Sequence, residues 1–195
     1  MKDTIISIVL TLIVCAIIVF VVHYMVKQEK FNAIKITSQV TAPKLTVHVK
    51  VVDDRAEKGK EIQRKLSKLQ PKLDSITCNT IARSIQRSCS IYDIEPELVM
   101  ALIFKESSVN PQAESVAGCV GLMQVNYNVW KDELKLRSYH NTFEIAVNID
   151  TGCRILRRYR DKYDNWNDAL NDYSGGKVGY ADQVMRLANE LVVME

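Results

Sequence analysis

Residues 4–22 run without a charged side chain and are dominated by Ile, Val and Leu. As a helix the run covers about 28 Å, close to the hydrocarbon thickness of a bilayer. A segment of that kind is not globular, so the sequence predicts a chain in two parts. The first is a membrane anchor over residues 1–30, with the membrane met by residues 4–26, His23 and Tyr24 at the interfacial end, and Lys27 and Lys30 closing it. A cleaved secretory signal is the competing reading, but its apolar stretch is usually only about 7–15 residues and a small-x-small cleavage site follows closely, neither of which fits here. Lys2 lies before the run and Lys27, Lys30, Lys35 and Lys44 after it, a bias that taken alone places the C-terminal part in the cytoplasm.

What remains of the 195 residues is room for one domain of ordinary size. A formal charge of +3 is too small to argue for nucleic acid, and the basic residues are scattered along the chain without interleaved aromatics, so no nucleic-acid partner is expected. Cys15 falls in the apolar run; Cys78, Cys89, Cys119 and Cys153 follow it. Their even number suits two disulfides in an oxidising compartment and equally suits free thiols buried as small core residues. The spacing matches no zinc pattern, and no metal is expected. Cys78 and Cys89, if they share one helix, lie about 16 Å apart along it and cannot pair.

Residues 31–74 read as a linker. Within it, 31–43 is a tether and 45–52 alternates apolar and polar like a short strand without an evident partner. Residues 53–73 are dense in Lys, Arg and Glu, with Ile62, Leu66 and Leu69 at helical spacing, which predicts an exposed amphipathic helix with a solvated face, ended near Pro71. The domain proper is expected over 75–195, with helices near 76–91, 96–108, 127–136, 143–163, 166–173 and 179–194. Glu95-Pro96 suits a helix start, because proline fits the first turn, where its missing N–H is not needed. Asn110-Pro111 stops the same helix, since a residue before proline avoids the helical region. Nothing beyond 45–52 argues for a sheet, and the expected fold class is all-α.

One carboxylate stands out. The apolar residues Val99, Leu102 and Ile103 put Glu106 on the face of its helix that should be buried. Desolvation there disfavours its charge, and so does the macrodipole at the last turn of the helix, so its pKa should rise. A carboxylic acid kept protonated near neutral pH can give a proton to a glycosidic oxygen. The plainer reading is a glutamate rotated to solvent, or paired with Lys105 or an arginine.

Glu106-Ser107 is followed by a loop of small residues and by Gly121-Leu122-Met123-Gln124; Ala146-Val147-Asn148 comes next with Gly152 on the same helix, and then Tyr173-Ser174-Gly175-Gly176. These blocks, in this order and approximate spacing over residues 76–191, resemble the soluble lytic transglycosylase family. The resemblance implies a lysozyme-like helical fold with a cleft for the glycan strand of peptidoglycan. It implies that Glu106 is the single catalytic acid, with Ser107 beside it, and that Ser115 polarises the substrate or positions the acid. Gln124 would line the cleft, with Gly121 and Met123 along it. Asn148 and Tyr173 would hold functional positions, the tyrosine bonded to the catalytic carboxyl. It further implies cleavage between N-acetylmuramic acid and N-acetylglucosamine without water: the carboxyl protonates the bond, then takes the C6 hydroxyl proton as a 1,6-anhydro ring closes, with no cofactor.

Each residue also has a plainer reading: turn glycines, a helix-packing asparagine at Asn148, a core aromatic at Tyr173, packing at Met123. Gly152 within a helix costs about 1 kcal/mol relative to alanine, which suggests a close backbone neighbour. The chain departs from the family in having Tyr173-Ser174 where Tyr-Asn is usual, and in placing Cys119 where a small residue is common. A bridge from Cys119 to Cys153 would staple the loop to the Asn148 helix. Two other functions compete: a lysozyme-type hydrolase with Glu114, Asp150 or Asp172 placing a water, and an inactive tethered protein of binding or assembly. An anchored cutter suits a single-pass membrane location with its domain on the cell-wall side, periplasmic or extracellular, or in a virion membrane, beside a secretion, conjugation or viral assembly.

Overall fold

The structure, a computed structural model, describes residues 54–194, so the apolar run at 4–22, the tether at 31–43 and the strand expected at 45–52 lie outside the described residues. Among the described residues no helix is long and apolar enough to cross a membrane. In chain order they form α1 (Asp54–Leu69), α2 (Ser75–Tyr92), α3 (Pro96–Ser107), β1 (Cys119–Val120), β2 (Val125–Asn126), α4 (Tyr127–Trp130), a 3-10 turn (His140–Phe143), α5 (Ile145–Tyr163), α6 (Trp166–Tyr173) and α7 (Tyr180–Val192).

Residues 98–103 of α3 are buried at every position. A helix apolar on all sides must be wrapped by others, and α3 packs chiefly against α7, with α2 also beside it, while α2 in turn packs on α5 and α5 on α6. The ends of these helices follow local chemistry. Asp74 caps α2 by accepting from the N–H groups of Ile76 (3.1 Å) and Thr77 (2.9 Å). Pro96 opens α3, and Ser108 closes it in the left-handed region, φ 51°.

Three expectations need correction. The helix in the linker is not simply a solvated surface: Ile62 and Leu66 join the core, and even Lys65 is only 2% exposed, its Nζ 2.7 Å from carboxylate oxygens of both Glu61 and Glu97. Its apolar stripe needed a partner, and α2 supplies one. The helix expected over 127–136 stops at Trp130; the chain continues in turns, with Lys135 in the left-handed region at φ 54°. There is also a small antiparallel sheet outside 45–52, with Cys119 opposite Asn126 and Val120 opposite Val125. Two-residue strands are too short to show alternation. The helical class stands.

The described cysteines, Cys78, Cys89, Cys119 and Cys153, are free: the reading as free thiols holds, and the bridge considered between Cys119 and Cys153 is not formed. Burial pushes the Cys89 thiol up to about 12 and raises that of Cys153 as well. Both behave as small apolar core residues rather than reactive thiols.

Candidate active site

Glu106 lies in the last turn of α3, half-buried. Burial pushes its carboxyl above the usual range, against the opposing pull of a hydrogen bond from Tyr180 and of the Lys177 and Lys105 charges; the net shift is upward. Tyr180 is the first residue of α7, and its hydroxyl donates to Glu106 Oε1. It holds that position because Tyr180, Val184, Ala188 and Leu191 form the buried stripe of α7, the helix packed on α3. Burial, and then the Glu106 charge, raise the pKa of Tyr180, which keeps it a hydrogen-bond donor at neutral pH.

The tyrosine on the carboxyl is therefore Tyr180, not Tyr173. Tyr173 instead donates to the Met123 carbonyl at 2.8 Å. Its signal in the sequence was the block Tyr173-Ser174-Gly175-Gly176, whereas Tyr180 was legible only as the first position of an apolar helical stripe.

Most of the other expected site residues build the frame around Glu106. Gly121-Leu122-Met123-Gln124 is the turn of the β1–β2 hairpin. Asn148, fully buried on α5, holds it from below: its Oδ1 accepts from the Met123 N–H (2.8 Å), and its Nδ2 donates to the carbonyls of Val120 (2.8 Å) and Thr142 (2.9 Å). Both amide hydrogens and the acceptor are thus satisfied. Gly121 is needed twice over, since its φ is +74° and a Cβ there would sit 2.4 Å from Asn148 Nδ2. Gly152 admits a side chain rather than a backbone: an added Cβ would fall 2.5 Å from Met123 Sδ. Met123 is fully buried and packs instead of lining a cleft.

Ser107 joins the end of α3 to the hairpin, with its Oγ 3.0 Å from the Ile103 carbonyl and 2.9 Å from that of Leu122. Ser115 Oγ accepts from the Cys119 N–H (3.0 Å), closing the loop before β1 rather than reaching Glu106. Gln124 Nε2 donates to Gly121 O (3.1 Å) and Ala113 O (3.3 Å), again within the loop. The remaining carboxylates considered as water-placing groups have partners of their own. Glu114 accepts from Tyr139 (2.5 Å), Asp150 from Tyr92 (3.2 Å), and Asp172 from Tyr163 (2.8 Å) and Lys162 (3.0 Å).

A partly desolvated acid on a rigid helix end, oriented by a tyrosine and bordered by a pinned hairpin, is equipped to hand over and take back a proton. The family model of the transglycosylase SLT domain matches residues 83–188, which take in Glu106, the hairpin, Asn148 and Tyr180. The chain belongs to the transglycosylase SLT domain family. Among similar proteins, the membrane-bound lytic murein transglycosylase C of Histophilus somni (strain 2336) is 36% identical over 86 residues, 40% of this chain and 24% of that protein. The transglycosylase of Enterobacteria phage PRD1 is 35% identical over 85 residues, 44% of this chain and 31% of the phage protein. The membrane-bound lytic murein transglycosylase C of Yersinia pestis (strain Pestoides F) is 35% identical over 88 residues, again 40% and 24%. This SLT chain thus spans about a quarter to just under a third of the length of the curated relatives it matches.

Proposed function

We propose that the chain is a membrane-anchored peptidoglycan lytic transglycosylase that cleaves the β-1,4 bond between N-acetylmuramic acid and N-acetylglucosamine. The observation that carries this reading is the half-buried Glu106, its pKa raised by desolvation and its carboxyl bonded by Tyr180. Glu106 protonates the glycosidic oxygen as the bond breaks. The resulting carboxylate then takes the proton of the muramic C6 hydroxyl as that oxygen closes on C1, giving a 1,6-anhydro end and returning the acid to its starting state. Ser107, Ser115, Gly121, Met123, Gln124, Asn148 and Tyr173 support the site by shaping and fixing the hairpin beside the acid. Family membership and the names of the relatives support the substrate class. The proposed organisation is an anchor over residues 1–30 and a connecting stretch over 31–74, whose helix α1 docks on a transglycosylase domain over 75–195. The domain works on the wall side of a membrane or in a virion membrane, where tethering confines cutting to the surroundings of a secretion, conjugation or viral assembly.

Digestion of purified cell-wall sacculi with the full chain, read by mass spectrometry, tests the reaction. The expected products are one water lighter than hydrolytic ones, and Glu106→Gln releases them far more slowly. Exclusively hydrated reducing ends would assign a lysozyme-type hydrolase, and no cleavage by well-folded protein would assign a binding or assembly role. Protease protection on intact cells or particles reads which side the domain occupies.

A further inference from the structure

Basic residues from four separate segments of the sequence are brought to one groove by the fold. A groove of about 1450 Å³ runs between α1, α2, the stretch after α4 and α5, and its lining includes Lys58, Arg83, Arg87, Lys135, Arg137 and Arg154, all exposed. None of these is in an ion pair among the described residues, where the other bridges use different cations. Among the described residues Glu95 and Asp150 are the carboxylates on the lining, and Asp150 is engaged by the Tyr92 hydroxyl. Like charges brought together repel, and Arg83 and Arg87 do so one helical turn apart on α2. An anionic partner would relieve that repulsion, and the arginine fork is shaped for phosphate and carboxylate oxygens.

The groove is separate from the acid. Pro96, at the first turn of α3, lines it, whereas Glu106 lies about 15 Å further along the same helix. Among the described residues no Phe, Tyr or Trp is on the lining, which offers a single-stranded nucleic acid no stacking platform there. What the lining does expose among its cations is an aliphatic side chain, Ile91, 55% accessible. Cations flanking an exposed aliphatic group suit the headgroup region of a bilayer, and groups of about 4–8 Lys and Arg near a span read as anionic-lipid sites. The chain enters the described structure at α1, whose first turns supply Lys58, and residues 4–22 precede it by about 30 positions, a number of residues that spans roughly 100 Å at most.

We propose that this basic groove docks the domain on the anionic phospholipid headgroups of the membrane, with the Glu106 end of α3 directed away from it. The docking rests on the anchor reading for bringing the domain to a bilayer, and the test separates the two. The full chain is mixed with vesicles of phosphatidylcholine alone, or with about one third phosphatidylglycerol, each carrying a dansyl lipid that accepts energy from Trp130 and Trp166. Flotation with the neutral vesicles reports the anchor. A several-fold higher energy transfer on the anionic vesicles reports the groove. That excess should vanish in about 0.5 M salt, where screening is short-ranged, and in the triple variant Arg83→Gln/Arg87→Gln/Arg137→Gln, whose melting temperature and wall cleavage stay near those of the parent. Lys58→Gln/Lys135→Gln repeats the test should the triple variant misfold. Equal transfer on both vesicle types overturns the docking, as does an excess that survives in folded variants. Retention on oligo-dT in place of vesicles overturns it in favour of another polyanion. Failure to float with neutral vesicles removes the anchor, while recruitment by anionic vesicles alone still supports the groove.

Discussion

At the scale of single residues, the proposed reaction uses Glu106 as an acid in one step and a base in the next, which asks for a proton affinity close to working pH. Burial supplies the upward shift and Tyr180 restrains it. Glu106→Gln should lower wall cleavage by about 10²–10⁴-fold, the usual worth of a positioned general acid, measured as anhydro-product release. The same substitution has a stability consequence. A carboxyl whose folded pKa lies above its ordinary 4.5 favours the native state below that value, and the contribution is lost as pH rises through the folded pKa. Glu106→Gln should therefore leave the melting temperature at pH 7 unchanged or higher; a drop of several degrees would mean that the charge is stabilising where it stands. Tyr180→Phe removes a bond that favours the carboxylate, so the Glu106 pKa should climb further and the alkaline limb of the pH–rate profile move upward with it. A purely structural role would lower the rate without moving that limb. Glu106 was legible because a charge on an apolar face is anomalous at once. Tyr180 was not, since a tyrosine on an apolar stripe looks like any other core aromatic until α3 and α7 are seen side by side.

At the scale of elements, the helices flanking the site were legible from periodicity and from Pro96 and Pro111, while the hairpin was not. Its strands contribute two residues each, and their short ladder is supplemented by Asn148, reaching across from another element. The roles attached to Asn148, Ser115 and Gln124 by resemblance and the bonds they make are thus different things: a motif records which residues recur, not which bonds they form. Asn148→Leu should cost about 2–4 kcal/mol, because it strands a buried N–H and two carbonyls that lost water on folding. Urea denaturation measures it, and a loss below 1 kcal/mol would mean that the hairpin is held by something else. Gly152→Ala acts on the same contact from the other side. Met123 cannot retreat without shifting the turn that carries it, so about 1–3 kcal/mol of overpacking is expected together with reduced cleavage.

At the scale of the molecule, α1 is built into the core of the folded unit. Its composition argued for a solvated helix, since charge density is visible in a sequence and the partner for three apolar residues is not. In the structure Lys65 bridges α1 to Glu97 at the start of α3, an attachment between elements that are neighbours only after folding. Burial alone would lower the Lys65 pKa, but the hydrogen bonds with Glu61 and Glu97 outweigh it and leave the pKa raised. A lysine raised above 10.5 stabilises the fold fully below that value and loses the contribution as pH climbs through the folded pKa, so the parent should weaken on going from neutral pH to strongly alkaline pH. Lys65→Met should flatten that dependence. A chain shortened to residues 75–195 goes further, giving up the burial of Ile62 and Leu66, each worth about 1.5–3 kcal/mol, and leaving Glu97 without its lysine. Its denaturation midpoint should fall well below that of a chain beginning at Asp54, with loss of wall cleavage only because less of it is folded. Equal midpoints for the two would make α1 a bystander resting on the domain, and the lysine a tolerated charge instead of a joint.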